Sequence, residues 1–70
     1  MTTKEIIENV QDLSFSHNRE TVDVHVFDKE DSRLITARNI SADLFLAHFD
    51  YGTTISDDRE KNVEFLKLIL

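Results

Sequence analysis

The sequence predicts a single α+β domain over residues 1–70: an N-terminal helix, an antiparallel β-hairpin forming a small sheet, and one or two C-terminal helices. Three observations carry that expectation. Ile6, Val10 and Leu13 recur at helical steps near the N-terminus. "TVDVHVF" alternates apolar and polar residues with the two-residue period of a strand. Ser41 and Asp57 each stand where a helix would start.

The first element reads as a helix through "TTKEIIENVQDL". Thr2 and Glu5 have the spacing of a capping box, in which each side chain satisfies a free backbone N–H of the other residue. Ile6, Ile7, Val10 and Leu13 make one apolar stripe, and Lys4, Glu5, Glu8, Gln11 and Asp12 fall off it. "SFSHNR" then has the composition of a loop, with Phe15 tucked back onto the core.

"ETVDVHVF" is the clearest strand, because Val22, Val24 and Val26 alternate with Asp23, His25 and Phe27. "LITARNI" returns antiparallel to it. The preferred register pairs Phe27 with Leu34, His25 with Thr36 and Asp23 with Arg38, and it stacks the three valines on the face carrying Ile35 and Ala37. A slip by one residue would turn Arg38 toward the buried face. The connection "DKEDSR" is long for a hairpin and lacks the Asn-Gly or Asp-Gly pairs of tight turns, so it should project.

In "NISADLFLAHFDYG", Ser41 is the N-cap, and Ile40 with Phe45 has the spacing of a hydrophobic staple. Gly52 stands where a left-handed C-cap would need it. The last element begins with Asp57 as cap and Glu60 three residues on. Val63, Leu66, Ile69 and Leu70 form its stripe, widened by Phe65 and Leu68, so that a strand over "VEFLKLIL" is the competing assignment. The end "FLKLIL" is apolar enough to require docking on the core or on another chain.

Composition narrows the function. A chain of 70 residues buries about 60% of the surface its unfolded form exposes, and 40% apolar content fills one thin core without a deep substrate pocket. The absence of cysteine removes disulfides, thiolate metal sites and thiol nucleophiles, and it suits a reducing, cytoplasmic setting. "MTTKEIIENVQDL" threads charges through its apolar positions, so it reads as neither signal peptide nor membrane span. Fourteen acids against eight bases give a net charge of −6, which disfavours direct contact with nucleic acid or with anionic membranes.

Catalytic and cofactor chemistry find no support. The three histidines have no ligand spacing, no serine lies in a nucleophile elbow, and a single glycine cannot build a phosphate cradle. The expectation is a non-enzymatic protein without metal or cofactor. "YGTTI" between two predicted helices suggests a helix-turn-helix, but its second helix would open on "DDREKN" and press Asp57 and Asp58 toward phosphates.

The remaining candidates are protein-binding surfaces. Asp28, Glu30 and Asp31 crowd one projecting loop, and Asp57, Asp58 and Glu60 crowd one helix start. As a single array they would face a basic partner; as ordinary turn and cap chemistry they would face water. The competing surface is apolar: Phe49, Tyr51, Phe65, Leu66 and Ile69 as a homodimer seam or a groove for a partner helix, as in an antitoxin, immunity or transcription accessory protein.

The order of amphipathic helix, acidic hairpin and C-terminal helices resembles that of small phage-encoded inhibitors that mimic DNA, including some anti-CRISPR proteins. "VDV", "DKED", "SAD" and "YG", spread over residues 22–52, are similar to features of the phage inhibitors of uracil-DNA glycosylase. The resemblance implies an inhibitor that occupies the DNA site of a host protein, such as a CRISPR effector or uracil-DNA glycosylase, with an apolar element assisting.

Overall fold

The computed structural model describes residues 2–70. Thr2 and Glu5 form the capping box, with the Glu5 N–H donating to Thr2 Oγ1 at 3.2 Å and the Thr2 N–H donating to Glu5 Oε1. The helix they start, α1 (Thr3–Asn9), is shorter than its apolar stripe suggests. At Val10 the backbone turns extended, and β1 (Val10–His17) takes the place of both the second half of the expected helix and the expected loop. The helix-like spacing comes from a β-bulge. Val10 pairs with Asp28 and Asp12 with Phe27, which leaves Gln11 as an extra residue. Val10 and Leu13 therefore reach the same face three residues apart, a spacing that imitates a helix. Past the bulge, Leu13, Phe15 and His17 follow ordinary strand alternation.

β1 turns through Asn18–Glu20 into β2 (Thr21–Asp28), and β2 through the acidic loop into β3 (Leu34–Ser41). Phe27 pairs with Leu34 as the sequence suggests, but a second bulge at Ile35 shifts everything beyond it by one. His25 thus lies opposite Ala37, Val24 opposite Arg38, and Asp23 opposite Asn39. This is the disfavoured slip. It succeeds because β3 is an edge strand whose middle is not covered. Arg38 stays exposed, and its guanidinium donates to Thr36 Oγ1 at 2.7 Å and to the Ala37 carbonyl at 2.9 Å. The bulge still brings Ile35 and Ile40 to the core, while Ala37 faces outward.

Ser41 caps α2 (Ala42–Leu46) by accepting from the Leu44 N–H at 3.1 Å. The helix closes on Ala47 in right-handed geometry, and Gly52 has no positive φ; it lies in an open turn, not at a left-handed cap. A two-residue strand, β4 (Ile55–Ser56), then pairs with Leu13 and Ser14. The last segment is helical: α3 (Arg59–Ile69) starts from Asp58, one residue after the expected cap.

The sheet is antiparallel throughout, in the order β3-β2-β1-β4. Its core face carries Val10, Leu13, Phe15, Val22, Val24, Val26 and Ile40, covered by Ile6 of α1, Phe45 of α2, Phe49, and Phe65 and Leu66 of α3. Phe15 is the hub of an aromatic cluster, with ring centroids 4.9 Å from Phe45, 4.8 Å from Phe49 and 6.2 Å from Phe65. The opposite face, with Asp12, Ser14, Ser16, Asp23, His25, Phe27, Asn39 and Ile55, is left uncovered.

Candidate functional site

The acidic loop is closed by backbone bonds from the Asp28 N–H to the Arg33 carbonyl and from the Ser32 N–H to the Asp28 carbonyl, and it is shaped by its own carboxylates. Asp28 Oδ1 accepts from the Glu30 N–H at 2.6 Å, and Asp31 Oδ1 accepts from the Arg33 N–H at 3.2 Å, so both act as turn formers. Ser32 carries the reversal in left-handed geometry, with φ of 57°. Arg33 Nε also lies 3.2 Å from Asp31 Oδ2, an exposed pair that adds little stability but offsets one charge of the cluster. Glu30 is exposed.

At the second cluster, Asp58 is occupied as the N-cap, accepting from the Lys61 N–H at 3.3 Å. Asp57 and Glu60 are exposed, and their carboxylates form no hydrogen bond or ion pair among the described residues. Acids at this position meet the positive end of the α3 dipole.

The two clusters come to one end of the molecule through the C-terminus of α1, whose last carbonyls have no partner within the helix. Lys29, inside the acidic loop, donates its backbone N–H to the Asn9 carbonyl at 2.9 Å and its Nζ to the Glu8 carbonyl at 3.3 Å. Arg59, inside the second cluster, donates Nη2 to the same Glu8 carbonyl at 3.2 Å and Nε to the Val10 carbonyl at 3.1 Å. Two cations from distant parts of the chain thus share one acceptor. Each brings its acidic neighbours with it. The same cations dilute the field, since six carboxylates in residues 28–33 and 57–61 stand beside Lys29, Arg33, Arg59 and Lys61.

Between the clusters the uncovered sheet face dips into an open depression of about 330 Å³, lined by Asp12, Leu13, Ser14, Phe27, Ser32 and Ile55. Of its lining residues, Ser32 directly follows Asp31 in the chain, and Ile55 lies two residues before Asp57.

The apolar surface proposed from sequence does not assemble. Phe49, Phe65 and Leu66 are buried in the core, where they hold α3 and the segment after α2 to the sheet. Ile69 is half-buried against that core, and Tyr51 alone of the five is exposed. The exposed large apolar side chains are instead Leu34, Leu46, Tyr51, Ile55 and Leu68.

Several residues with structural or site roles were not singled out by sequence, Lys29 of the acidic loop among them. Arg59 clamps α3 to the end of α1. Asn62, fully buried, donates to the carbonyls of Gln11 at 2.8 Å and Ser56 at 3.0 Å and accepts from the Ser56 hydroxyl at 2.6 Å. Asp12, assigned to a solvated helix face, lies on the open sheet face beside Phe27. The histidines are dispersed. His17 lies in β1, where its ring Nε2–H donates to the Thr53 carbonyl at 2.8 Å and the ring packs edge-on to Phe45. His25 lies on the open face, and His48 packs against Phe65. Among the described residues, no group of three or more histidine or carboxylate side chains is placed to hold a metal ion, and no helix is long and apolar enough to cross a membrane. The chain matches no family model, no curated protein and no solved structure at a significant level.

Proposed function

We propose that the chain is a non-enzymatic binding protein whose acidic end engages a basic surface of a partner protein, of the kind used to hold nucleic acid, and blocks it. One observation carries this reading: Lys29 and Arg59 donate to the same Glu8 carbonyl, which draws the segments bearing Asp28, Glu30 and Asp31 and those bearing Asp57, Asp58 and Glu60 to one end of the fold. Glu30, Asp57 and Glu60 are the carboxylates free to meet a partner's lysines and arginines. Asp28, Asp31 and Asp58 are already engaged in the turn and the cap.

Duplex DNA offers roughly one negative charge per 1.7 Å of axis. The acidic end is a sparser field, because four cations accompany its six carboxylates. Its affinity for a basic surface therefore depends on shape and apolar contact as well as on charge, and its salt dependence is shallower than that of DNA itself.

The test is capture from a bacterial lysate on the immobilised chain at low and high salt, with duplex DNA as competitor. A captured nucleic-acid-binding protein should be released by the duplex and lost when Glu30, Asp57 and Glu60 are all changed to lysine. Capture that survives both treatments would rule the reading out.

A further inference from the structure

We propose that the depression on the uncovered sheet face receives an arginine side chain of the partner, an inference that rests on the acidic binding surface proposed above. The shape is right for that group. Phe27 supplies an aromatic surface, and Ile55, 67% exposed, supplies an aliphatic wall. Asp12, Ser14 and Ser32 are the polar residues of the lining; Asp12 shares the open face with Phe27, and its carboxylate has no hydrogen-bond partner among the described residues. A volume of about 330 Å³ is at the small end of ligand sites, and it accommodates one long side chain better than a helix or a folded loop.

Charge complementarity selects the occupant. A purely aliphatic side chain would satisfy Phe27 and Ile55 but would desolvate Asp12 without compensation. Lysine would answer the charge as a point, with its strongly hydrated ammonium. Arginine matches both halves of the site: its methylene stem lies along Ile55, its planar head stacks on Phe27, and its paired N–H groups meet the Asp12 carboxylate. Two of the lining residues, Ser32 and Ile55, belong to the same chain segments as Asp31 and Asp57, so a basic surface attracted to the acidic end brings its arginines near this position.

The experiment is a titration of the ¹⁵N-labelled chain with three serine-glycine peptides of equal length. They carry arginine, its neutral isostere citrulline, or diaminopropionate, a cation without a stem. The arginine peptide should shift the amides of Asp12, Ser14, Phe27, Ser32 and Ile55 together with those of the acidic segments. The diaminopropionate peptide should shift the acidic segments alone, and the citrulline peptide neither. Asp12→Asn should weaken the arginine peptide about tenfold, the equivalent of one charge-assisted hydrogen bond. Ile55→Ser should weaken it several-fold without altering the diaminopropionate response, and both positions lie off the core, so the spectra also report that the variants are folded. Arginine-peptide shifts confined to the acidic segments, or an Asp12→Asn variant that binds as well as the parent, would overturn the arginine site and leave the acidic surface standing. Failure of both cationic peptides to shift any resonance would overturn the two together.

Discussion

Replacing Asn62 by alanine should be among the most damaging single changes to this fold. The side chain is fully buried, and its three hydrogen bonds join three elements. Gln11 is the extra residue of the β1 bulge, so its carbonyl lies beside an interrupted ladder, and the Asn62 amide meets it from α3. The other two bonds fix Ser56, and with it the short strand β4. Losing three hydrogen bonds at about 1 kcal/mol each gives roughly 3 kcal/mol, before any contribution from the small cavity. For a domain of this size, total stability is on the order of 3.5–10 kcal/mol, and 1 kcal/mol moves Tm by about 7 °C. The expected fall is therefore about 20 °C. Urea denaturation of the parent, Asn62→Ala, Ser56→Ala and the double variant is the assay. Ser56→Ala should cost about 1 kcal/mol, and the double variant less than the sum of the singles, because both remove the same 2.6 Å bond. A cost below about 1 kcal/mol for Asn62→Ala, or strict additivity, would refute the assignment of Asn62 as the tie between helix and bulge.

Arg59→Ala should destabilise by about 1.5 kcal/mol in the same assay, since two carbonyls at the end of α1 lose a charged donor, and Arg59→Lys should restore less than half because one ammonium cannot span both. Ser32→Gly should stabilise by about 0.5 kcal/mol, the relief of a left-handed residue exceeding the added freedom of the unfolded chain. Gly52→Ala should also stabilise by about 0.5 kcal/mol, because no positive φ is required and a Cβ would meet nothing within 4 Å; destabilisation would reinstate a left-handed cap. The Asp23 carboxyl is held below its ordinary value by the Asn39 amide first and the Asn18 amide second. Its contribution is complete above the usual carboxylate range and is lost as pH falls through the lowered folded value. Carboxyl-carbon NMR should show its titration moving up toward the ordinary value in Asn39→Ala.

The parts of the fold that were legible in sequence are those where one local signal decides. The Thr2–Glu5 box, the alternating valines of β2 and the Ser41 cap all appear as expected. The two errors in the sheet, the helix boundary and the hairpin register, have a common physical source in bulges. The extra residue at Gln11 sets Val10 and Leu13 three apart, so the first residues of a strand continue the stripe of the preceding helix at helical spacing. The extra residue at Ile35 shifts β3 by one, and no local pattern announces it. The buried face of "VEFLKLIL" was readable only as apolar; that Phe65 and Leu66 point inward while Leu68 is exposed is fixed by the packing of α3 over β1.

The acidic clusters were visible in the sequence, but their mutual position was not. It depends on Lys29 and Arg59 finding the same helix end, a contact between residues far apart in the chain. The role of Asp12 was hidden for a related reason. Until β1 is recognised as a strand, Asp12 belongs to a helix surface, and only the register opposite Phe27 brings it to the open face.

The convergence of the two acidic segments is the premise of the proposed function, and it can be measured without knowing the partner. The chain has no cysteine, so Glu30→Cys provides a single site for a nitroxide label on the exposed hairpin. The label should broaden the amide resonances of Asp57–Glu60 and of Asp12–Ser14, and leave Asn18–Glu20 and Ser41, at the other end of β2, sharp. Broadening restricted to the hairpin, with Asp57–Glu60 unaffected, would contradict a shared acidic surface.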